Sequence, residues 1–138
     1  VDFDEVFHRV LKLVAEVASA PNTRARTQST GRFGVLPSEY ATPLALALTE
    51  VVTNAVEHGL AGQEGVVTID AKRTEENLRV TVRDTGLGLP EGRIGQGLGT
   101  QIIRTLIQGE LGGTIEWRGT DGEGTEVVID IPLRWLER

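Results

Sequence analysis

A chain of 138 residues, 39% of them hydrophobic and 25% charged, has the size and composition of one soluble globular domain able to bury about two-thirds of its unfolded surface. Its net charge of −6 argues against a general nucleic-acid surface, which carries a basic patch, and no apolar run approaches the ~20 residues that a membrane span needs. The absence of cysteine excludes disulfides and thiolate metal sites and is compatible with a reducing cytoplasm.

The first residues, VDFDEVFHRV, lack the basic start and apolar stretch of a secretory signal, and the chain is expected to be a piece of a longer protein. Phe3, Val6, Val10, Leu13, Val14 and Val17 recur at helical spacing behind Asp2 and Asp4, either of which can cap the start, and predict a helix over residues 3–18. Pro21 and Asn22 end it. Residues 23–35, rich in Thr, Arg, Ser and Gly, are expected to hold at most a short edge strand and a loop.

Ser38 stands at the expected N-cap of a long helix that ends near Gly59. Within it, LALALTEVVTNAVEHG places Leu44, Leu48, Val51 and Ala55 on one apolar stripe and Glu50, Asn54 and His58 at steps of four on another. A buried line of carboxylate, amide and imidazole is costly unless a ligand or metal bonds to it. The same stripe on a surface helix is an ordinary polar face.

From Val66 the period changes to two. Val67, Ile69 and Ala71 alternate with polar residues, a turn falls at Glu75, Glu76 and Asn77, and Leu78, Val80 and Val82 alternate again. One more step of that alternation aims Asp84 at the core. Gly86, Gly88, Gly92, Gly95, Gly97 and Gly99 follow in a short loop. Leu98, Ile102 and Leu106, with Ile103, Ile107 and Leu111, predict a helix leaving that loop and ending at Gly112 and Gly113. Two final strands are expected over 114–118 and 125–132. If the last lies antiparallel beside residues 78–84 with Ile131 opposite Leu78, Thr125 falls opposite Asp84 and sets a hydroxyl beside the carboxylate. Separate runs of helices and mostly antiparallel strands predict a two-layer α+β domain with helices on one face of the sheet.

A purine nucleotide with a divalent cation would satisfy the polar stripe, the inward Asp84 and the glycine loop together. Asp84 can accept a hydrogen bond from an exocyclic amine, with Thr125 helping directly or through water. Gly86 and Gly88 let the backbone pass close to a ring, and Gly97 and Gly99 leave amides free for phosphate at the start of the following helix. Asn54 offers a neutral oxygen to Mg²⁺. Glu50 can orient a water or act as general base, and His58 can contact phosphate when protonated or simply close its helix.

Glu50-x-x-x-Asn54, Asp84-x-Gly86-x-Gly88, Gly97-Leu98-Gly99 and Gly124-Thr125 resemble, in order, the N, G1, G2 and final boxes of the ATPase superfamily of sensor histidine kinases, Hsp90, gyrase and MutL. The resemblance covers residues 38–133 and implies the Bergerat fold, a two-layer α/β sandwich with ATP between a mixed sheet and its helices. By that resemblance Asn54 binds Mg²⁺ and serves catalysis with Glu50. Asp84 binds the adenine amine, and His58, Gly86, Gly88, Gly97, Leu98, Gly99 and Thr125 belong to the ATP site. The lid over residues 88–97 is short, and Arg93 is its basic phosphate contact.

The stretch GLGTQIIRTLIQGELGGTIEW resembles catalytic domains of histidine kinases with the second HisKA type of dimerisation helices, in particular the PdtaS-like sensor kinases. That implies cytoplasmic transfer of the ATP γ-phosphoryl group to a histidine on a separate dimerisation hairpin of the same full-length protein, then to a response regulator. His8-Arg9-Val10 resembles the start of the acceptor motif, but Leu11-Lys12-Leu13 replaces its polar continuation, and the interval to Glu50 leaves no room for a second hairpin helix. His8 is therefore expected not to be phosphorylated. An anti-sigma-factor-type protein-serine kinase, whose N box is similar, and a module that binds ATP without transferring it are the alternatives.

Overall fold

The computed structural model describes residues 1–18, 25–56, 65–85, 98–120 and 124–133. Helix α1 (Phe3–Ala18) is followed by strand β1 (Ala25–Gly31), helix α2 (Ser38–Asn54) and strands β2 (Gly65–Arg73) and β3 (Asn77–Asp84). Helix α3 (Leu98–Arg104) runs into a π-helical turn (Thr105–Glu110), and strands β4 (Thr114–Thr120) and β5 (Gly124–Pro132) end the fold. The sheet has the order β1-β2-β3-β5-β4, with β1 parallel to β2 and every other pair antiparallel.

Strand alternation decides which face is covered. Val67, Ile69 and Ala71 on β2, Leu78, Val80 and Val82 on β3, and Val127, Ile129 and Ile131 on β5 are buried. They share one core with Phe3, Phe7, Val10 and Val14 of α1, Leu44, Leu48, Val51 and Val52 of α2, and Ile103 of α3. The expected two-layer α+β arrangement is the one observed. The opposite face carries ion pairs across the strands. Arg79 donates from Nε to Asp130 Oδ1 at 2.8 Å and from Nη2 to Oδ2 at 3.2 Å, and its guanidinium is held above the ordinary arginine value by that hydrogen bond and by the Asp130 charge. Glu126 accepts from Arg83 and pairs with Arg118. Pairs this exposed contribute little stability singly.

The N-terminal segment is tied to the entrance of α2: Asp2 precedes α1 with its carbonyl accepting from the Val6 N–H at 3.3 Å, while the Asp4 carboxylate serves the α2 side. Asp4 Oδ1 and Oδ2 accept from the Phe33 and Gly34 N–H groups at 2.9 and 3.0 Å, while Arg73 Nη1 donates to the Phe33 and Val35 carbonyls at 2.6 and 3.0 Å. The rings of Phe3 and Phe7 each lie 4.9 Å from that of Phe33. Ser38 is not the N-cap of α2. That position belongs to Pro37 (φ −59°, ψ 150°), whose carbonyl accepts from Tyr40 and Ala41 at 2.9 Å each. Its ring-fixed φ and extended ψ already have cap geometry, so Ser38 becomes the first helical residue.

Beyond α3 the winding loosens. Thr105 Oγ1 donates back to the Gln101 carbonyl at 2.9 Å, competing with the helical ladder, and the Leu111 N–H reaches five residues back to the Leu106 carbonyl at 3.0 Å. Gly112 then closes the end with φ +64°, a conformation that favours glycine. Ile103, Ile107 and Leu111 stay buried through the wide turn, whereas Ile102 is exposed.

Candidate functional site

α2 presents its apolar stripe as expected: Leu44, Leu48, Val51 and Ala55 are all buried. Glu50 and Asn54 are half-buried in its last two turns, so both side chains lie at the margin of the core rather than on a free surface. Ala55 continues with helical φ −62° and ψ −43°, its N–H shared between the Val51 and Val52 carbonyls. His58, the next member of the stripe, lies outside the described residues, as do Gly86, Gly88, Arg93 and Gly97. Leu98 and Gly99 open α3.

Asp84 closes β3 on the inner side, 4% exposed, after the buried Leu78, Val80 and Val82. The expected register holds. Leu78 pairs with Ile131, and the ladder runs on to Arg83 opposite Glu126, which brings Asp84 and Thr125 together. The contact described between them is made by the main chain: the Thr125 N–H donates to Asp84 Oδ1 at 3.3 Å. An amide fixed by β5 cannot rotate away as a hydroxyl can, so the carboxylate is aimed by the backbone of the neighbouring strand.

Gly124 makes that approach possible. A Cβ there would lie 2.2 Å from the Asp84 carbonyl oxygen, and φ is +94°, a conformation that side chains rarely adopt. Gly124→Ala is expected to destabilise the fold by about 2–5 kcal/mol, from overpacking and the positive φ together, and to move β5 off Asp84. Urea denaturation checks the first effect, and nucleotide titration of the folded fraction checks the second.

Two threonines on these elements escaped the sequence reading as polar side chains. Thr100 in the first turn of α3 is buried. Thr85, adjacent to Asp84, exchanges two hydrogen bonds with Val66: its N–H donates to the Val66 carbonyl at 3.2 Å, and its Oγ1 accepts from the Val66 N–H at 3.1 Å. The available signal was a β-branched hydroxyl between an inward carboxylate and the first glycine of a loop. Among the described residues, no group of three or more histidine, aspartate or glutamate side chains could hold a metal ion by itself, and no helix is long and apolar enough to cross a membrane.

A buried carboxylate at the end of a central strand, in a sheet that shares its core with a helix carrying Glu50 and Asn54 and followed in sequence by a run of glycines, is the pattern of one class of ATPase. Residues 39–134 match the family model of the histidine kinase-, DNA gyrase B- and HSP90-like ATPases, and the chain belongs to that family. It is 43% identical to the sensor histidine kinase PdtaS of Mycobacterium tuberculosis over 138 residues, 96% of this chain and 27% of that protein. The identity to PdtaS of Mycolicibacterium smegmatis is 39%, over 96% of this chain and 28% of that protein. The chain thus spans little more than a quarter of the length of these curated relatives. Among solved structures, the histidine kinase domain of the blue-light-activated kinase EL346 from Erythrobacter litoralis superposes with a TM-score of 0.85 at 31% identity, over 99% of this chain and 68% of that one.

Proposed function

We propose that residues 1–138 form one domain, the ATP-binding catalytic domain of a cytoplasmic two-component sensor histidine kinase. In this reading it delivers the γ-phosphoryl group to a histidine on the dimerisation helices of the same full-length protein, for relay to a response regulator. The observation that carries the reading is Asp84, buried at the end of β3 with its carboxylate held by the Thr125 amide. A carboxylate accepts and does not donate, so it selects an exocyclic amine, which adenine presents in the form required. The relatives named above are sensor histidine kinases, which favours histidine over serine as the acceptor.

The remaining residues fit ATP with Mg²⁺. Asn54 supplies a neutral oxygen of the kind a hard cation takes alongside phosphate and water. Glu50, one turn earlier on the same helix, orients a water or the incoming imidazole. Gly86, Gly88, Gly97, Leu98 and Gly99 are assigned to the lid and its phosphate amides, and His58 and Arg93 to phosphate contacts. When bound, Mg²⁺ neutralises charge on the phosphate oxygens. In the transfer, a P–N bond to the acceptor imidazole forms as the bond from the γ-phosphorus to the ADP oxygen breaks. The protein's part is positioning, so an acceptor carried on a separate hairpin is chemically sufficient.

Calorimetric titration with a non-hydrolysable ATP analogue, with and without Mg²⁺ and with GTP as control, tests the site. Adenine-selective, Mg²⁺-dependent binding is expected. Equal affinity for GTP would overturn the assignment of Asp84. Acid-labile phosphate on an acceptor hairpin supplied in trans is the expected product, and acid-stable phosphoserine would move the chain to the serine-kinase class.

A further inference from the structure

At alternate positions of an antiparallel ladder, facing residues exchange two main-chain hydrogen bonds, N–H to C=O in each direction. Beyond the Val67–Asp84 pair of β2 and β3, Val66 and Thr85 form such a pair in one direction only. The Thr85 N–H donates to the Val66 carbonyl at 3.2 Å. In the return direction a side chain has replaced the backbone: the Val66 N–H donates to Thr85 Oγ1 at 3.1 Å, in the place that the Thr85 carbonyl would occupy in a continuing strand. The last donor of β2 is satisfied, yet the Thr85 carbonyl stays out of the ladder. The strand therefore ends at the buried carboxylate with no orphaned amide on Val66.

We propose that Thr85 is a positioning residue for nucleotide binding. Its hydroxyl stands in for its own carbonyl on Val66, terminates β3 directly after Asp84 and anchors the carboxylate to β2. The proposal rests on the nucleotide-site reading above and deepens it. Asp84 is then fixed from both neighbouring strands, by Thr125 of β5 at its carboxylate and by Val66 of β2 through the adjacent residue. Thr85 itself is exposed, so its contribution is separable from core packing. Valine keeps the branched shape and loses the acceptor, and the Val66 N–H must then turn to water or draw the Thr85 carbonyl back into the ladder. Serine keeps the acceptor.

The test compares Thr85→Val and Thr85→Ser in the protein, with Thr30→Val as control. Thr30 Oγ1 donates to Asp70 Oδ1 at 2.7 Å, another hydroxyl bond between strands of the same sheet. The readouts are calorimetric Kd for the non-hydrolysable ATP analogue with Mg²⁺, hydrogen exchange at the Val66 amide, and Tm. Thr85→Val is expected to raise Kd by up to about tenfold, the scale of one net hydrogen bond lost at Asp84 when the carboxylate shifts, and to speed Val66 exchange. Its Tm should match that of Thr30→Val. Thr85→Ser should bind within about twofold of wild type and keep Val66 protected, and Thr30→Val should bind as wild type does. Unchanged affinity in Thr85→Val overturns the role, as does Thr85→Ser binding as weakly as the valine variant. A wild-type protein that binds no adenine nucleotide overturns the site reading itself, and the role of Thr85 with it.

Discussion

Asn54→Ala is expected to lower Mg²⁺-dependent phosphoryl transfer to an acceptor hairpin by about a thousandfold or more. A correctly held cation supplies several kcal/mol of transition-state charge stabilisation, and each 1.36 kcal/mol is about a factor of ten in rate. The fold should not suffer. Asn54 is the last residue of α2 and only half-buried, and alanine is a better helix former than asparagine by up to about 0.7 kcal/mol. Radiolabelled transfer at several Mg²⁺ concentrations, beside thermal unfolding, separates the two effects. A variant that transfers phosphate at a tenth of the wild-type rate, or whose loss follows a fall in Tm, would remove Asn54 from the metal site.

Asp84→Asn carries the second large effect, with a different signature. Asparagine has nearly the same shape, and its side-chain oxygen can still accept from the Thr125 N–H. Its amide then turns a donor where the carboxylate offered an acceptor. Two donors facing each other at a buried amine cost about 1–3 kcal/mol, a loss of about five- to 150-fold in ATP affinity. The substitution exchanges a charged buried group for a neutral one, so Tm is expected to hold within about 5 °C. Calorimetry against ATP and GTP analogues is the decisive measurement. Unchanged ATP affinity would sink the adenine contact. A gain for GTP, whose six-position is a carbonyl acceptor, would strengthen it.

The two substitutions also show where sequence reading is strong. Asp84 could be placed from Leu78, Val80 and Val82 alone, because strand side chains alternate without drift and one buried face sets the parity of the whole strand. The same parity, applied to Val127, Ile129 and Ile131, restricted the β3–β5 register to steps of two, and the hypothesised pairing of Leu78 with Ile131 is the one observed. Alternation is blind to the main chain, however. It put Thr125 opposite Asp84 but could not choose between hydroxyl and amide as the donor. The direction of β1 was equally hidden, since ARTQSTG has almost no apolar residue by which its face or partner could be read. At α2 the preference for serine at N-caps pointed to Ser38, where Pro37 already held the required dihedrals. The π-helical turn left no mark because Ile103, Ile107 and Leu111 keep the spacing of an ordinary α-helix. The hydroxyl of Thr105 that reaches back to Gln101 at its start is a backbone competition that any threonine in a helix can enter or decline.

The strand order has a bearing on how the protein acquires its activity. β2 and β3 are joined by a tight turn and can pair early, as can β4 and β5. The seam that joins these two hairpins is β3 against β5, and even its nearest ladder pair, Arg83 and Glu126, is 43 positions apart, with α3 between them in the sequence. Closing so long a span costs chain entropy before any contact repays it. Asp84 and Thr125 sit on its two sides. The bond between the Thr125 amide and the Asp84 carboxylate is therefore absent from any form in which the two hairpins are still apart, and on the proposed reading nucleotide binding reports that this seam has closed.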